Sequence, residues 1–107
     1  LSGNSAFNGG GILNSGSVGI SSSTLSGNST ANLGGGIWNS GSVDLTSSSL
    51  SGNSAQTNGG GIYNRGSLTL SFSTITLNTA SVRGGGIFNY TGFTAVLTSS
   101  TVSGNTA

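Results

Sequence analysis

Short apolar stretches alternate with Gly, Asn and Ser along the whole chain. In Ser42-Val-Asp-Leu-Thr46, apolar and polar side chains alternate, which is the period of a strand with one buried face. The same columns hold Val18 and Ile20 in the preceding unit, and Leu68 and Leu70 in the following one. Ala is scarce and Glu, Lys and Met are absent, so the usual helix formers are missing. The pattern therefore predicts β-strands throughout.

These stretches belong to a repeat. The phrase Gly-Gly-Gly-Ile, followed by a large apolar residue and Asn, recurs every 25 residues, beginning at Gly9, Gly34, Gly59 and Gly84. A second phrase, Leu-Ser-Gly-Asn or a variant of it, recurs in step and begins at Leu1, Leu25, Leu50, Ile75 and Val102. The alternating stretch is the third part of each unit. Three strands in about 25 residues leave no room for helical crossovers, so the repeat predicts a parallel β-helix whose coils stack on one another.

The repeat divides the chain into one array over residues 1–107, with units of approximately 1–24, 25–49, 50–74 and 75–101 and a partial unit 102–107. The fold is predicted to be an all-β solenoid of about four coils with three short strands each and uncapped ends. Uncapped coils expose strand edges, which predicts self-association by end-to-end stacking and, as a second mode, by lateral contact. A leucine-rich repeat is the alternative fold, because Leu50-Ser-Gly-Asn53 is similar to its LxxN segment; the Gly triplets and missing helix formers favour the β-helix.

Asparagine recurs at two positions of the repeat, and stacking places equivalent residues in columns. An amide both donates and accepts, so each Asn is expected to bond to its equivalents in the neighbouring coils, as a structural ladder. The two predicted ladders are Asn4, Asn28, Asn53, Asn78 and Asn105, and Asn14, Asn39, Asn64 and Asn89. A weaker hydroxyl ladder is expected near the third corner from Ser22, Ser47 and Ser99, with Phe72 filling the gap. Asn28 and Asn89 begin N-glycosylation sequons, but modification would compete with stacking, so we expect none.

One column of large side chains suggests a contact. Strict alternation from the inward Ile of each Gly-Gly-Gly-Ile phrase turns the next residue outward, which predicts a stripe of Leu13, Trp38, Tyr63 and Phe88. Contiguous exposed apolar surface marks interfaces, and aromatic faces also stack on sugars. Three interpretations stay open: coverage by local turns, contact with protein, and binding of polysaccharide.

Composition excludes several functions. Charged residues make up 3% of the chain and the net charge is +1, from Arg65, Arg83 and Asp44, which leaves no electrostatic footprint for nucleic acid. No apolar run approaches the roughly 18 residues of a membrane helix, so no membrane insertion is expected. With one acidic residue, no His and no Cys, the chain offers no acid–base pair, triad or metal cage. We expect no catalytic residues, no metal and no cofactor.

The combination of Gly-Gly-Gly-Ile-x-Asn, the strand Ser67-Leu-Thr-Leu70 and the segment Leu50-Ser-Gly-Asn-Ser-Ala55 resembles the right-handed β-helix repeats of bacterial surface and secreted proteins. These include pectin-lyase-like domains and the polymorphic outer-membrane adhesins with their GGA[IL] and FxxN motifs. The resemblance covers essentially the whole chain. It implies a right-handed β-helix on a bacterial or archaeal cell surface or outside the cell. The family spans polysaccharide lyases, adhesins, tail spikes and passive stalks, so it leaves the activity open.

We therefore expect a non-enzymatic extracellular β-helix with a structural or adhesive role. It is either a subunit of a head-to-tail stacked filament or a segment of a longer surface stalk or fibre. One alternative is a carbohydrate-binding module that uses the aromatic stripe. The other is a fragment of a polysaccharide-active enzyme whose catalytic coils lie elsewhere.

Overall fold

The computed structural model describes residues 1–107 and consists of strands and turns, with no helix. Its strands form four parallel sheets of four strands each, and every coil contributes one strand to each sheet. Sheet I contains β1 (Ser5–Asn8), β5 (Ser29–Leu33), β9 (Ser54–Ala55) and β13 (Thr79–Ala80). Sheet II contains β2 (Ile12–Asn14), β6 (Ile37–Asn39), β10 (Ile62–Asn64) and β14 (Ile87–Asn89).

The other two sheets follow in each coil. Sheet III contains β3 (Ser17–Ser21), β7 (Ser42–Thr46), β11 (Ser67–Ser71) and β15 (Thr94–Thr98). Sheet IV contains β4 (Thr24–Ser26), β8 (Ser49–Ser51), β12 (Thr74–Thr76) and β16 (Thr101–Ser103). The predicted parallel β-solenoid is confirmed, and the leucine-rich repeat is excluded because the coils contain no helix.

The three predicted strands of each coil are present, and the short strands of sheet I are an additional fourth that the sequence pattern did not reveal. The inward residues of sheet I are small or polar: Thr30, Ala55 and Ala80 are at most 4% exposed. Two of its strands are only two residues long. Such short segments carry no apolar alternation that a sequence pattern could reveal.

The repeat sets the register between coils. Ile62 pairs with Ile37 in the coil before it and with Ile87 in the coil after it. Two departures from the period are absorbed locally. A register shift between Ala6 and Asn8 compensates for the residue missing from the first unit. The turn before β15 accommodates the two extra residues of the fourth unit.

The core is one cluster of aliphatic side chains that continues from coil to coil. Ten of them are buried, namely Ile20, Leu25, Ile37, Val43, Leu45, Leu50, Ile62, Leu68, Leu70 and Ile75. Ile12, Val18, Ile87 and Ala95 pack against this cluster from the outer coils and are partly buried. Each coil thus supplies only a few side chains, so neighbouring coils must stabilise one another.

The Gly triplet permits close approach between coils. A Cβ built on Gly35 would collide with the carbonyl oxygens of Gly60 in the next coil and of Ser54. At another corner the backbone needs positive φ, which Gly27 and Gly52 supply with values of 62° and 64°. Leu77 occupies the equivalent position of the next coil at φ 57°, although its side chain is 69% exposed.

Candidate functional site

The first asparagine column lies just before sheet I and runs through every coil. Asn53 Oδ1 accepts hydrogen bonds from the backbone N–H of Asn28 at 3.0 Å and from Asn28 Nδ2 at 3.1 Å. Asn53 Nδ2 in turn donates to Asn78 Oδ1 at 2.9 Å and to the Leu25 carbonyl at 3.1 Å. The same contacts connect Asn4 to Asn28 and Asn78 to Asn105. The chain-wide column is therefore hydrogen-bonded along the solenoid axis.

The second column ends the strands of sheet II. Asn14 Nδ2 donates to Asn39 Oδ1 at 2.9 Å, and Asn39 Nδ2 donates to Asn64 Oδ1 at 2.8 Å. Asn64 Nδ2 continues the column to Asn89 Oδ1 at 2.7 Å. Asn39 and Asn64 are fully buried, whereas Asn89 is exposed. The inner members of both columns are enclosed and bonded within the chain, so they offer no surface to a ligand.

The hydroxyl ladder lies one residue later than we predicted. Ser48 Oγ accepts from the backbone N–H of Ser23 at 3.1 Å, and Ser73 Oγ accepts from that of Ser48 at 3.2 Å. Ser47 and Phe72 instead adopt positive φ values of 50° and 51° at the corner itself. Their side chains lie in exposed positions and take no part in the column.

The predicted stripe is stacked on itself and is only partly exposed. The ring of Tyr63 lies 5.3 Å from that of Phe88 and 6.4 Å from that of Trp38, with interplanar angles of 6° and 12°. As a result Tyr63 is only 4% exposed, and Trp38 and Phe88 are half-buried. Leu13 alone is as exposed as expected, at 56%. Of the three interpretations, coverage applies to Tyr63, because in-register stacking places this central ring between its neighbours.

A second group of side chains covers one end of this stack. Tyr90 and Phe93 come from the turn that follows β14, and their rings lie 6.3 Å apart. The Tyr90 ring is 6.4 Å from those of Tyr63 and Phe88, and the guanidinium carbon of Arg65 lies 4.9 Å from its centre. Tyr90 is 43% and Phe93 is 40% exposed. We call Arg65, Tyr90 and Phe93 the aromatic platform.

Sequence reasoning did not identify this platform. The available signal was the two-residue excess between Asn89 and Ala95, which carries two aromatic residues where other units have Ser and Gly. Arg65 occupies the equivalent turn of the preceding coil, so stacking brings it next to Tyr90. Its sequence position gave no sign of this neighbour.

The ionisation of the Tyr63 phenol is governed by its burial and by the charge of the nearby Arg65. Burial raises the pKa of the Tyr63 phenol above its ordinary value; the positive charge of Arg65 acts in the opposite direction, and Tyr90 adds a small further increase. Asp44, the one acidic side chain, lies on β7 in sheet III and is exposed. The platform therefore carries positive charge without an acidic residue in its own sheet.

The sides of the coils offer no enclosed site for a small substrate. The two surface depressions lie at the first and last coils, against inward side chains such as Ile20 and Val102. No group of three or more His, Cys, Asp or Glu side chains is brought together. A helix long and apolar enough to cross a membrane is not found either.

Comparison with known proteins finds one repeat family that is similar to two segments of the chain. Residues 22–40 and 47–65 match the Chlamydia polymorphic membrane protein repeat. Each match begins at a positive-φ Ser, runs through an Asn of the first column, and reaches the Asn that ends a strand of sheet II. The two segments are thus similar to β-helix repeats of bacterial outer-membrane adhesin-like proteins.

The matched segments include members of both asparagine columns. The matched segments contain Asn28 and Asn39 in one coil, and Asn53 and Asn64 in the next. The repeat belongs to bacterial outer-membrane or surface proteins, which supports the predicted cell-surface location and gives no support to the archaeal alternative. Neither the curated proteins nor the solved structures yield a significant match to this chain.

Proposed function

We propose that this chain is a non-catalytic spacer of a bacterial surface adhesin, which holds contact residues in fixed positions on a stack of coils. The observation that carries the proposal is the hydrogen-bonded asparagine column through every coil of an adhesin-like repeat. Each additional coil extends such a stack by about 4.8 Å without changing its cross-section. The near-absence of ionisable side chains supports a structural role over a catalytic one.

The surface location is tested by antibody labelling. An antibody raised against the purified chain should label intact cells of the source bacterium, and brief treatment with external protease should remove the label. Labelling that appears only after permeabilisation of the outer membrane would contradict the proposal.

The spacer role is tested by changing the number of coils. Deletion of residues 34–58 removes one 25-residue unit and joins Leu33 to Gly59, so the remaining coils keep their register. We expect this variant to fold and to reach the surface. The matched control, a deletion of residues 34–45, removes about half a coil, so the following residues no longer stack on their equivalents and folding should be abolished. Equal behaviour of the two deletions would contradict a repeat-based spacer.

Two finer versions of this function stay predictions. Head-to-tail stacking of copies into a filament predicts fibres in electron micrographs of the purified chain, and monodisperse monomers would eliminate it. Activity on polysaccharide in catalytic coils elsewhere predicts cleavage by the complete parent protein but none by this chain. Binding of polysaccharide by the present coils is developed below.

A further inference from the structure

We propose that the aromatic platform binds a carboxylate-bearing sugar, such as a uronic acid within a surface polysaccharide. The inference rests on the proposed adhesive function and assigns a ligand class to one site on it. It moves the contact away from Trp38 and Tyr63, which the stack covers, and onto Arg65, Tyr90 and Phe93.

The platform is a local departure from an otherwise regular repeat. In the first three units, a Ser-Gly or Arg-Gly pair follows the Asn that ends the sheet II strand. In the fourth unit, the longer turn Tyr90-Thr-Gly-Phe93 replaces it and contributes both aromatic rings. Apart from Phe72 and Leu77, the other corners carry mostly Ser, Asn and Gly, so the insertion creates a surface with different chemistry.

The turn is held rigidly. The Phe93 backbone N–H donates to the Tyr90 carbonyl at 3.1 Å, and Gly92 supplies the required positive φ of 88°. Asn89 Nδ2, the last side chain of the second column, donates to the Phe93 carbonyl at 2.8 Å. The exposed rings are therefore anchored to the internal asparagine column, which limits the ordering cost of binding.

Arg65 is oriented to recognise an anion. Its guanidinium is exposed and packs over the Tyr90 ring in a cation–π contact. The planar fork matches a carboxylate with two parallel hydrogen bonds. Since Asp44 lies in a different sheet, the chain has no acidic side chain in sheet II to satisfy this donor set.

The exposed rings favour a sugar over an acidic peptide. Phe93 is 40% exposed and lies beside Tyr90, the ring that Arg65 packs over, and an exposed aromatic face stacks on the C–H surface of a sugar ring. A specific protein partner usually buries about 800 Å² on each side, whereas the platform consists of three side chains beside small turn residues. One sugar unit with a carboxylate contacts both the ring and the guanidinium without needing a larger interface.

The test is a calorimetric titration of the whole chain with two carboxylated probes, hyaluronan oligosaccharides and alginate oligosaccharides. We expect at least one to bind. Arg65→Gln should lower its affinity about tenfold or more, the size expected for one charge-assisted pair. Phe93→Ala should lower it by a similar factor. Phe72→Ala is the matched control, because Phe72 is 67% exposed at a different corner, and should change affinity less than twofold.

A second comparison isolates the carboxylate. The same oligosaccharides with their carboxyl groups reduced to alcohols should bind at least tenfold more weakly than the acidic forms. Melting curves of all variants should coincide with that of the parent chain, because the replaced side chains are exposed.

Several outcomes would overturn the inference. They are no binding of either acidic probe, equal binding of the reduced probes, or an unchanged affinity in Arg65→Gln. A polyglutamate peptide that bound as tightly as the sugars would show an acidic-peptide site instead. Surface labelling of intact cells is a separate measurement, so failure of the sugar site and failure of the adhesin proposal are distinguishable.

Discussion

Replacing Asn53 with Ala tests whether the first asparagine column holds the coils together. Asn53 is 1% exposed, and its side chain makes four hydrogen bonds, two accepted from Asn28 and one donated to each of Leu25 and Asn78. The substitution removes all four and introduces no new group. We therefore expect the array to be much less stable while its strand pattern is unchanged.

The size of the stability loss depends on which hydrogen bonds the partners of Asn53 keep after the substitution. The Asn28 side chain keeps its bond to the Leu1 carbonyl, and Asn78 Oδ1 keeps the Asn53 backbone N–H at 2.9 Å. The Asn28 backbone N–H has no other acceptor, and a buried unpaired donor costs about 1 to 3 kcal/mol. The other three bonds are each worth about 0.5 to 1.5 kcal/mol net. Their sum predicts a loss of about 2.5 to 7.5 kcal/mol in the free energy of unfolding.

The measurement is urea unfolding followed by far-ultraviolet circular dichroism. Asn4→Ala is the control, because Asn4 occupies the same column at the exposed first coil and Asn28 Oδ1 keeps the Asn4 backbone N–H. Its cost should be below about 1 kcal/mol, the size of an exposed hydrogen bond. If Asn53→Ala and Asn4→Ala lower the free energy of unfolding by the same amount, the buried part of the first column does not stabilise the array and the reasoning is refuted.

Further substitutions probe the corners and the stack. Leu77→Gly should stabilise the chain by up to about 1 kcal/mol in urea unfolding, because glycine adopts the positive φ at this position without the strain that L residues have there. Gly52→Leu should destabilise the chain for the same reason, and the opposite order of stabilities would contradict this explanation. Gly35→Ala should cost about 3 kcal/mol or more, since its Cβ meets two carbonyl oxygens, and an unchanged melting temperature would disprove that close approach. Because the pKa of Tyr63 is raised in the folded chain, its phenol ionises first in the unfolded chain as the pH rises. The stability that the protonated phenol contributes should therefore be complete below about pH 10 and lost at higher pH. Tyr63→Phe should remove this component of the pH dependence, and tyrosinate absorbance in a Tyr90→Phe background should show late ionisation of Tyr63.

Much of the fold was predictable because its signals are local and repeated. The alternation in segments such as 42–46 defines which face is buried, and a period of 25 residues makes every coil repeat the same choice. The repeated Asn at a constant phase predicts the columns, since parallel stacking must superimpose equivalent residues. Sheet I escaped prediction because its buried residues, Ala55 among them, are too small and its strands too short to form an apolar pattern.

The candidate site was less predictable than the fold. The 25-residue period correctly indicates that Trp38 and Tyr63 share a column, but it does not show how far neighbouring rings cover one another. That coverage depends on the distance between coils and on a turn elsewhere in the chain. The platform is likewise assembled from Arg65 and Tyr90, which lie in different repeats and meet only through stacking.

The sequence by itself determined the coil period, the inward-facing aliphatic positions and the asparagine columns of this protein. All three are repeated one-dimensional patterns, and the stacking of identical units converts such patterns directly into columns. The tertiary structure decided which outward side chains remain exposed. Tyr63 is covered and Phe93 is not, because exposure depends on what the adjacent coil and the inserted turn place above each ring.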